Sequence, residues 1–219
     1  MARVVIVGGH GKIAQQLTRQ LSERGDTVVA TVRNPEHVAD VEQLGGQAVQ
    51  VDLEHEEPAR LAEVLEGADA VVFSAGAGAD GKVERKRTVD LEGSLKSVAA
   101  AEQAQVSRFV QVSAISVDRP VADDASEVWK AYVAAKRDAD ASLRQSSLDW
   151  TILRPGGLTD DPGTGRVTLA EEVERGPIPR ADVAAVIVAA LDDPRTIGQQ
   201  WEVVSGDQPI ADAVAAATS

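Results

Sequence analysis

The feature that most constrains the fold is an apolar run at residues 4–7 that breaks into a glycine turn. The run, VVIV, is β-branched throughout, as is typical of a strand covered on both faces. Beyond the turn, Ile13, Leu17 and Leu21 recur every four residues, so they share one face of a predicted helix over residues 12–24. A strand, a glycine turn and a helix in this order place unpaired backbone N–H groups where they favour an anionic phosphate.

The spacing of the turn, Gly8-x-x-Gly11-x-x-Ala14, differs from the G-x-G-x-x-G of two-domain dehydrogenases. We interpret it as a nucleotide-binding turn rather than an ordinary tight turn, because alternating strands and helices follow it. A phosphate-binding loop of the NTPase kind is excluded, since Ile13 follows Lys12 where Ser or Thr is required. The predicted cofactor contacts in this segment are Gly8, His10, Gly11, Lys12 and Ile13.

Alternating strand and helix patterns continue along the whole chain. Strands are predicted at residues 3–7, 27–32, 47–51, 70–73, 108–112, 150–153 and 200–204, and helices at residues 12–24, 35–44, 57–66, 85–104, 126–146 and 181–192. This order predicts an α/β fold: a doubly wound, Rossmann-type parallel sheet in one compact domain, residues 1–219, with helices on both faces. Ligands of such sheets bind beyond the carboxyl ends of the strands.

Two segments near the end of the chain have a less regular pattern. Residues 155–180 are rich in Gly and Pro, and we predict a loop and a short hairpin there, with residues 167–169 extended, that covers the substrate. The alternative is an ordinary surface excursion. The alanine-rich tail, residues 211–219, fits a short helix and a frayed end equally well.

Charge and composition exclude several classes of function. Thirty-five acidic and 22 basic residues give a formal net charge of -13, which argues against sequence-independent binding of nucleic acid. The chain has no cysteine and its three histidines lack metal-ligand spacing, so no metal site is predicted. Because no apolar stretch reaches membrane-spanning length and no signal peptide is recognised, we expect a cytoplasmic protein without a membrane partner. These patterns leave the oligomeric state open.

Arg33, at the end of the second predicted strand, bears on the choice of cofactor. An acidic residue at this point selects NAD through the ribose 2′-hydroxyl, whereas a guanidinium can hold the 2′-phosphate of NADP. We therefore predict NADP, with NAD as the alternative, although a solvated surface arginine has the same sequence pattern. Asp52 and Leu53 can meet the adenine, or Asp52 can cap the following helix. Ala75 and Gly76 are small enough for the ribose and diphosphate to approach closely.

Tyr132 and Lys136 form a second candidate group. They lie four residues apart and so share one face of the predicted helix over residues 126–146. A lysine beside a tyrosine is expected to lower the pKa of the phenol and make it a better proton donor. The alternative is a tyrosine packed on an apolar stripe beside a solvated lysine.

The order of these motifs resembles the short-chain dehydrogenase/reductase superfamily, and more narrowly its atypical, compact NAD(P)-binding group related to the NmrA-like proteins and biliverdin reductase B. Residues 4–11, 31–35, 108–113, 132–136 and 151–156 carry the resemblance, the last with the sequence TILRPG.

The resemblance implies a catalytic Ser, Tyr and Lys. In active members the serine orients the carbonyl, the tyrosine passes the proton, and the lysine also binds the nicotinamide ribose. Tyr132 and Lys136 match this set. Ser113 is the candidate serine, but Ala114 follows it where extended members continue a serine run, and Ser116 is the possible substitute. Pro155 is a further cofactor contact that the resemblance implies.

We therefore expect an NADP-dependent reductase that transfers hydride to a small carbonyl, quinone or flavin-like substrate. The first alternative is a non-catalytic NADP(H)-binding redox sensor of the NmrA-like type, which the Ala114 departure favours. A sugar-nucleotide epimerase or dehydratase is less favoured, because little chain remains beyond the sixth strand to form a substrate domain.

Overall fold

The computed structural model describes residues 1–78 and 82–218, and its elements alternate along the chain. The strands are β1 (Arg3–Val7), β2 (Thr27–Val32), β3 (Gln47–Gln50), β4 (Ala70–Phe73), β5 (Arg108–Val112), β6 (Asp149–Pro155), β7 (Gly157–Thr159), β8 (Arg166–Ala170), β9 (Pro177–Pro179), β10 (Gln199–Ser205) and β11 (Gln208–Pro209). The α-helices are α1 (Lys12–Glu23), α2 (Val38–Gln43), α3 (Pro58–Leu65), α4 (Val83–Arg85), α5 (Glu92–Gln103), α6 (Glu127–Gln145), α7 (Arg180–Asp192) and α8 (Ile210–Ala217). Short 3₁₀ helices occupy Pro35–His37 and Pro194–Thr196, and a π-helix, Lys86–Leu91, joins α4 to α5.

The main sheet confirms the predicted doubly wound, Rossmann-type fold. Its strand order is β11-β8-β10-β6-β5-β4-β1-β2-β3, and β1 to β6 and β10 run parallel. The order reverses beside β1, because the chain runs outward from β1 to β3 and then returns to β4 on the other side. A ligand crevice is expected at this point, beyond the carboxyl ends of β1 and β4. The sheet is not parallel throughout, since β8 is antiparallel to β10 and β11 to β8.

Apolar side chains cover both faces of the sheet, which explains the continuous hydrophobic run of β1. Val4 and Ile6 belong to one core and Val5 and Val7 to the other. Successive residues of a strand point to opposite faces, so a strand buried on both sides needs apolar residues at every position. The predicted stripe of α1 packs into the first core. Its members are Ile13, Leu17 and Leu21.

Two predicted helices differ from the observed ones. Residues 35–44 divide into a 3₁₀ turn and α2, because Pro35 and the Asn34 side chain, which accepts a hydrogen bond from the Glu36 N–H, favour a tight first turn. Residues 85–104 begin earlier, at Val83, and include the π-helix. This wider turn brings Lys86 and Asp90 into the interior, where they are 4% and 1% exposed. Single π turns are frequent at functional sites.

The hairpin predicted within residues 155–180 is wrong, although the extended strand at its centre is confirmed. Residues 167–169 lie in β8, which pairs with β10 in the main sheet rather than with a neighbour in sequence. Val167 is fully buried there, so the main sheet offers this strand a core that an isolated hairpin lacks. β7 and β9 form a separate two-stranded parallel sheet. The tail forms α8, with Ser219 outside the described residues.

None of the helices in the described ranges combines the length and apolar character needed to cross a bilayer. Residues 1–78 and 82–218 also contain no cluster of three His, Asp or Glu side chains placed to hold a metal ion.

Candidate functional site

A groove runs along the carboxyl ends of the parallel strands as a series of adjoining cavities. The β2 cavity, about 370 Å³, lies between the glycine turn, Arg33 and Asp52. The central cavity, about 590 Å³, lies over Ser113, Tyr132 and Lys136. The β7 cavity, about 840 Å³, reaches the two-stranded sheet of β7 and β9. The β2 and central cavities share Gly11, Ser74, Ala75 and Gly76. The central and β7 cavities share Ser113, Trp129, Tyr132, Leu158 and Arg180.

The glycine turn is pressed so closely against β2 and β4 that it has no room for side chains. A Cβ at Gly8 would lie 2.5 Å from Ala75 Cα, and one at Gly9 would lie 2.4 Å from Ala30 Cβ. Gly8 also has a φ of +87°, which side-chain-bearing residues rarely adopt. The N–H of Gly8 donates to Thr31 Oγ1 at 3.1 Å, and the N–H of Gly9 donates to the Thr31 carbonyl at 2.7 Å. Backbone therefore forms this wall of the groove.

Helix α1 begins at this turn with an end suited to a phosphate. Its N-cap is Gly11, no side chain caps it, and its first turn has no acidic residue. The first backbone N–H groups of a helix have no partner within the helix and attract negative charge. Gly11, Lys12 and Ile13 line the central cavity. The residues present therefore fit the diphosphate of a dinucleotide.

We expect Gly8→Ala to destabilise the protein more than Gly25→Ala, by about 1–3 kcal/mol of unfolding free energy. Gly25 is a matched control: its φ is +92°, but a Cβ there would meet nothing within 4 Å. Both variants share a backbone strain of about 1–2 kcal/mol, so their difference isolates the contact with Ala75. Urea unfolding followed by circular dichroism measures both values. Equal costs would show that the turn can move away from β4.

Arg33 lines the β2 cavity and is held by an acidic residue that the sequence analysis did not single out. Its Nη1 donates to Glu54 Oε2 at 2.9 Å, while the guanidinium stays 56% exposed. Arg85 Nε and Thr88 Oγ1 donate to the same carboxylate at 3.2 and 2.7 Å. Burial acts to raise the pKa of Glu54, but the Thr88 hydrogen bond and the Arg85 and Arg33 charges bring it below its ordinary value. Two arginines thus meet at the edge of the cavity.

Asp52 and Leu53, the predicted contacts of the adenine, also line the β2 cavity. Asp52 Oδ1 accepts the Glu54 N–H at 3.0 Å, and Oδ2 lies 3.0 Å from His55 Nδ1. Burial acts to raise the pKa of Asp52, but these hydrogen bonds outweigh it and lower the value. The alternative of a helix cap is wrong, because α3 begins at Pro58 with Glu57 as its N-cap.

Other predicted cofactor residues lie at different points of the groove. His10 lines the β2 cavity, with its ring stacked on His37 at 3.4 Å. Lys12 is exposed, and its ammonium lies 2.5 Å from Asp160 Oδ2. Ala75 and Gly76 lie where the β2 and central cavities join. Pro155 lines the β7 cavity at the far end, so the structure does not place it beside the glycine turn.

Helix α6 brings Tyr132 and Lys136 together on the wall of the central cavity, as their spacing predicts. Lys136 Nζ donates to the Val112 carbonyl at 3.2 Å and lies 3.4 Å from Asp90 Oδ1. The Tyr132 hydroxyl has no hydrogen-bond partner among the described residues. A free hydroxyl on a cavity wall is available to a ligand.

The expected lowering of the Tyr132 pKa is wrong. Burial raises the pKa of this phenol, Lys136 opposes the rise, and the carboxylates of Asp90 and Asp140 add to it. Burial is the main cause of the raised pKa, and the ion pair between Lys136 and Asp90 contributes, because the acidic partner offsets part of the lysine charge that was expected to favour a phenolate. Tyr132 is therefore held as a protonated phenol.

Ser113 lines the central and β7 cavities, but its hydroxyl proton is already committed. Its Oγ donates to Asp140 Oδ2 at 2.8 Å. The same carboxylate accepts Gln111 Nε2 at 2.7 Å and Arg154 Nε at 2.9 Å. The substitute, Ser116, is buried at a φ of +62°, and its Oγ accepts Arg175 Nε at 3.3 Å. The Ser113 hydroxyl is therefore not free to donate to a ligand, and Ser116 lines none of the three cavities.

Several groove residues escaped the sequence analysis, for identifiable reasons. Lys86 and Asp90 lie in a predicted helix, where charged residues are usually solvated, and only the π turn brings them inside. Trp129 lines two of the cavities and is 41% exposed. Its spacing of three from Tyr132 on one helix is the signal that could have identified it.

Comparison with known proteins places this groove in a family. Residues 8–194 match the model of a family described as NAD(P)H-binding. A Bacillus subtilis protein named an uncharacterized sugar epimerase is 38% identical over 213 residues, which are 97% of this chain and 98% of that protein.

Two solved structures are similar over nearly the whole chain. A Bacillus halodurans protein, assigned by name to the NAD-dependent epimerases/dehydratases, has a TM-score of 0.90 and 36% identity, covering 99% of this chain and 100% of its own. An oxidoreductase of Lactococcus lactis has a TM-score of 0.87 and 30% identity, covering 98% and 95%. The chain therefore belongs to the family described as NAD(P)H-binding, as the predicted nucleotide-binding turn and Rossmann-type fold indicate.

Proposed function

We propose that the protein is an NADP-dependent reductase of a small carbonyl, quinone or flavin-like substrate. The observation that carries the proposal is the continuous groove, which joins a backbone phosphate cradle at Gly8 to a free phenol at Tyr132. The Lactococcus lactis relative named an oxidoreductase supports it. When bound, a reduced nicotinamide supplies a hydride, and the protein supplies position and proton.

Each part of the groove has a role in this reaction. The turn from Gly8 to Gly11 and the start of α1 hold the diphosphate. Lys136, fixed by Asp90 and the Val112 carbonyl, is the donor for a ribose hydroxyl. Tyr132 donates its proton to the substrate oxygen.

The β7 cavity is the proposed substrate end of the groove. Leu158 of β7, Pro177 of β9 and Trp129 of α6 line it. We assign residues 155–180 the role of substrate cover, because this wall is formed largely from them. Apolar and aromatic side chains on both sides suit a flat substrate and exclude water from the reacting carbon.

We expect Arg33→Ala to weaken NADPH binding about 10- to 100-fold and to leave NADH binding nearly unchanged. The guanidinium stands where the adenosine 2′-phosphate is expected, and NADH lacks that phosphate. Arg19→Ala is the control, because it removes an arginine that lies outside the groove. Isothermal calorimetry with both nucleotides measures the change. An equal loss for NADPH and NADH would contradict a 2′-phosphate contact.

Turnover tests the reductase itself. Purified protein with NADPH is expected to lose absorbance at the nicotinamide band in the presence of at least one member of a panel of quinones, flavins and aldehydes. Nucleotide binding without turnover of any of them would instead support a redox sensor. One observation favours the redox sensor: the Ser113 hydroxyl donates its hydrogen bond to Asp140, so it cannot orient a substrate carbonyl as the serine of the expected catalytic set does.

The epimerase names of two relatives suggest a third substrate class, the sugar nucleotides. The chain beyond β6 gives this little support, since β8, β10 and β11 extend the main sheet and α7 and α8 pack into its core. Interconversion of nucleotide sugars by the NAD-loaded protein, with no NADPH consumed in the panel, would favour this class.

A further inference from the structure

Lys86 is a buried lysine in the middle of the groove, and it pairs with no carboxylate of the described residues. Its side chain comes from the π-helix, is 4% exposed and lines the central cavity. Nζ donates to the Gly78 carbonyl and lies 5.8 Å from the centroid of the Tyr132 ring. Within residues 1–78 and 82–218, no carboxylate forms an ion pair with it.

A buried ammonium of this kind needs further oxygen ligands. Taking the charge out of water is costly unless an anion or several acceptors replace the solvent. An ammonium has three N–H donors, and the Gly78 carbonyl takes one. The nearest acidic residue of the π-helix, Asp90, is already engaged by Lys136 at 3.4 Å and by the Ala77 N–H at 3.1 Å. The remaining donors of Lys86 have no acceptor among residues 1–78 and 82–218, and the residue lines the central cavity, where a ligand can supply one.

Lys86 brings a positive charge to the central cavity, which its neighbours Tyr132 and Ser113 do not. Tyr132 can donate a proton but carries no charge as a phenol. The Ser113 hydroxyl already donates its hydrogen bond to Asp140. A reaction that creates negative charge on a substrate oxygen gains most from a fixed cation beside that oxygen. Lys86 Nζ lies 5.8 Å from the centroid of the Tyr132 ring, and both residues line the central cavity.

We propose that Lys86 binds the substrate oxygen on which negative charge develops, and that the substrate is a flat, conjugated carbonyl compound such as a quinone or enone. This inference rests on the proposed reductase function. The substrate carbon accepts the hydride, and the carbonyl π electrons move to the oxygen, where Lys86 stabilises them. That oxygen then takes the Tyr132 proton, and water returns a proton to the phenol. The substrate gains two electrons and the nicotinamide loses two.

Equilibrium binding of two related quinones tests the inference. The probes are 2-hydroxy-1,4-naphthoquinone, an enolate at neutral pH, and the neutral 2-methyl-1,4-naphthoquinone, each titrated into NADP⁺-loaded protein by calorimetry. We expect the wild-type protein to bind the enolate about 10-fold more tightly or better, and Lys86→Met to lose that preference. Lys86→Arg should retain part of it. Lys130→Met is the matched control, because Lys130 is a more exposed lysine of α6 that pairs with Glu127.

The outcomes separate this inference from the proposed function. If Lys86→Met weakens NADP⁺ binding and leaves the preference for the enolate intact, Lys86 serves the cofactor and the inference is wrong. Lys86→Gln, which keeps a donor for the Gly78 carbonyl, gives the same comparison should methionine disturb folding. Because the titration requires no turnover, a preference that depends on Lys86 stands even if the quinone panel shows no reduction. In that case the reductase proposal fails alone.

Discussion

Asp140→Ala is expected to lower the free energy of unfolding by about 3–5 kcal/mol. The carboxylate is fully buried on α6 and accepts hydrogen bonds from three side chains: Gln111 of β5, Ser113 just beyond that strand, and Arg154 of β6. Its removal takes the buried one of two carboxylate partners from the guanidinium of Arg154, which is itself 3% exposed, and leaves only the half-exposed Asp118. Removing the buried partner of a buried charge is one of the most destabilising changes a core can undergo.

The same helix provides the control for this prediction. Asp138 is half-exposed and interacts with the neighbouring Arg137, so Asp138→Ala should change the unfolding free energy by less than about 0.5 kcal/mol. Both variants lose one carboxylate from α6, and urea unfolding followed by circular dichroism compares them directly. A cost below about 1 kcal/mol for Asp140→Ala would show that Asp118, which also binds Arg154 at 2.6 Å, carries the pair alone.

Asp140 is the centre of a buried hydrogen-bond network that lies beneath the groove. Burial raises the pKa of this carboxyl, while Arg154, Ser113 and Gln111 oppose the rise. Its donors fix the ends of β5 and β6, which form the floor between the central and β7 cavities. Side chains locked by such hydrogen bonds hold a site more precisely than loop residues do. The same network engages the Ser113 hydroxyl, which donates its hydrogen bond to Asp140.

The strands of the sheet could be predicted from the sequence because the hydrophobic pattern that indicates each strand is local. A strand covered on both faces needs apolar residues at every position, and residues 4–7 and 70–73 have them. The glycine turn was equally readable, since only glycine satisfies both the positive φ of Gly8 and its contact with Ala75. The pairing of β8 was less readable, because its partner β10 lies about thirty residues further along the chain.

The groove was predicted only in part, because its decisive contacts are tertiary. The spacing of Tyr132 and Lys136 placed them on one helix face, but it gave no indication that Asp90 would offset the lysine charge. Asp140 follows Lys136 by the same four residues, yet a carboxylate in a helix is usually solvated. The Ser113 hydrogen bond that removes the serine from the expected catalytic set depends on that buried carboxylate.

Tyr132→Phe is expected to lower kcat/KM for an aldehyde or ketone substrate about 10²- to 10⁴-fold, as the loss of a general acid does. The phenol has no hydrogen bond within the described residues, so the substitution removes the proton and little else. NADPH affinity should be unchanged. The kcat/KM for a quinone or flavin should fall less, because the oxygen or nitrogen of its reduced form is a weaker base and can be protonated by water. Steady-state kinetics with one substrate of each class measure the difference.

The pH dependence of kcat/KM distinguishes a proton-donating tyrosine from one with only a structural role. The phenol donates only while protonated, and because burial raises its pKa, kcat/KM for the aldehyde should stay level up to at least the ordinary phenol value, about 10, and fall only above it. If kcat/KM instead fell at a pH several units below 10, and this fall were absent in Tyr132→Phe, the Tyr132 pKa would be lowered rather than raised. Lys136 would then have a larger effect on that pKa than burial and Asp90 together. Unchanged activity in Tyr132→Phe would remove the tyrosine from the mechanism, and the cation of Lys86 with solvent water would then have to complete the reduction.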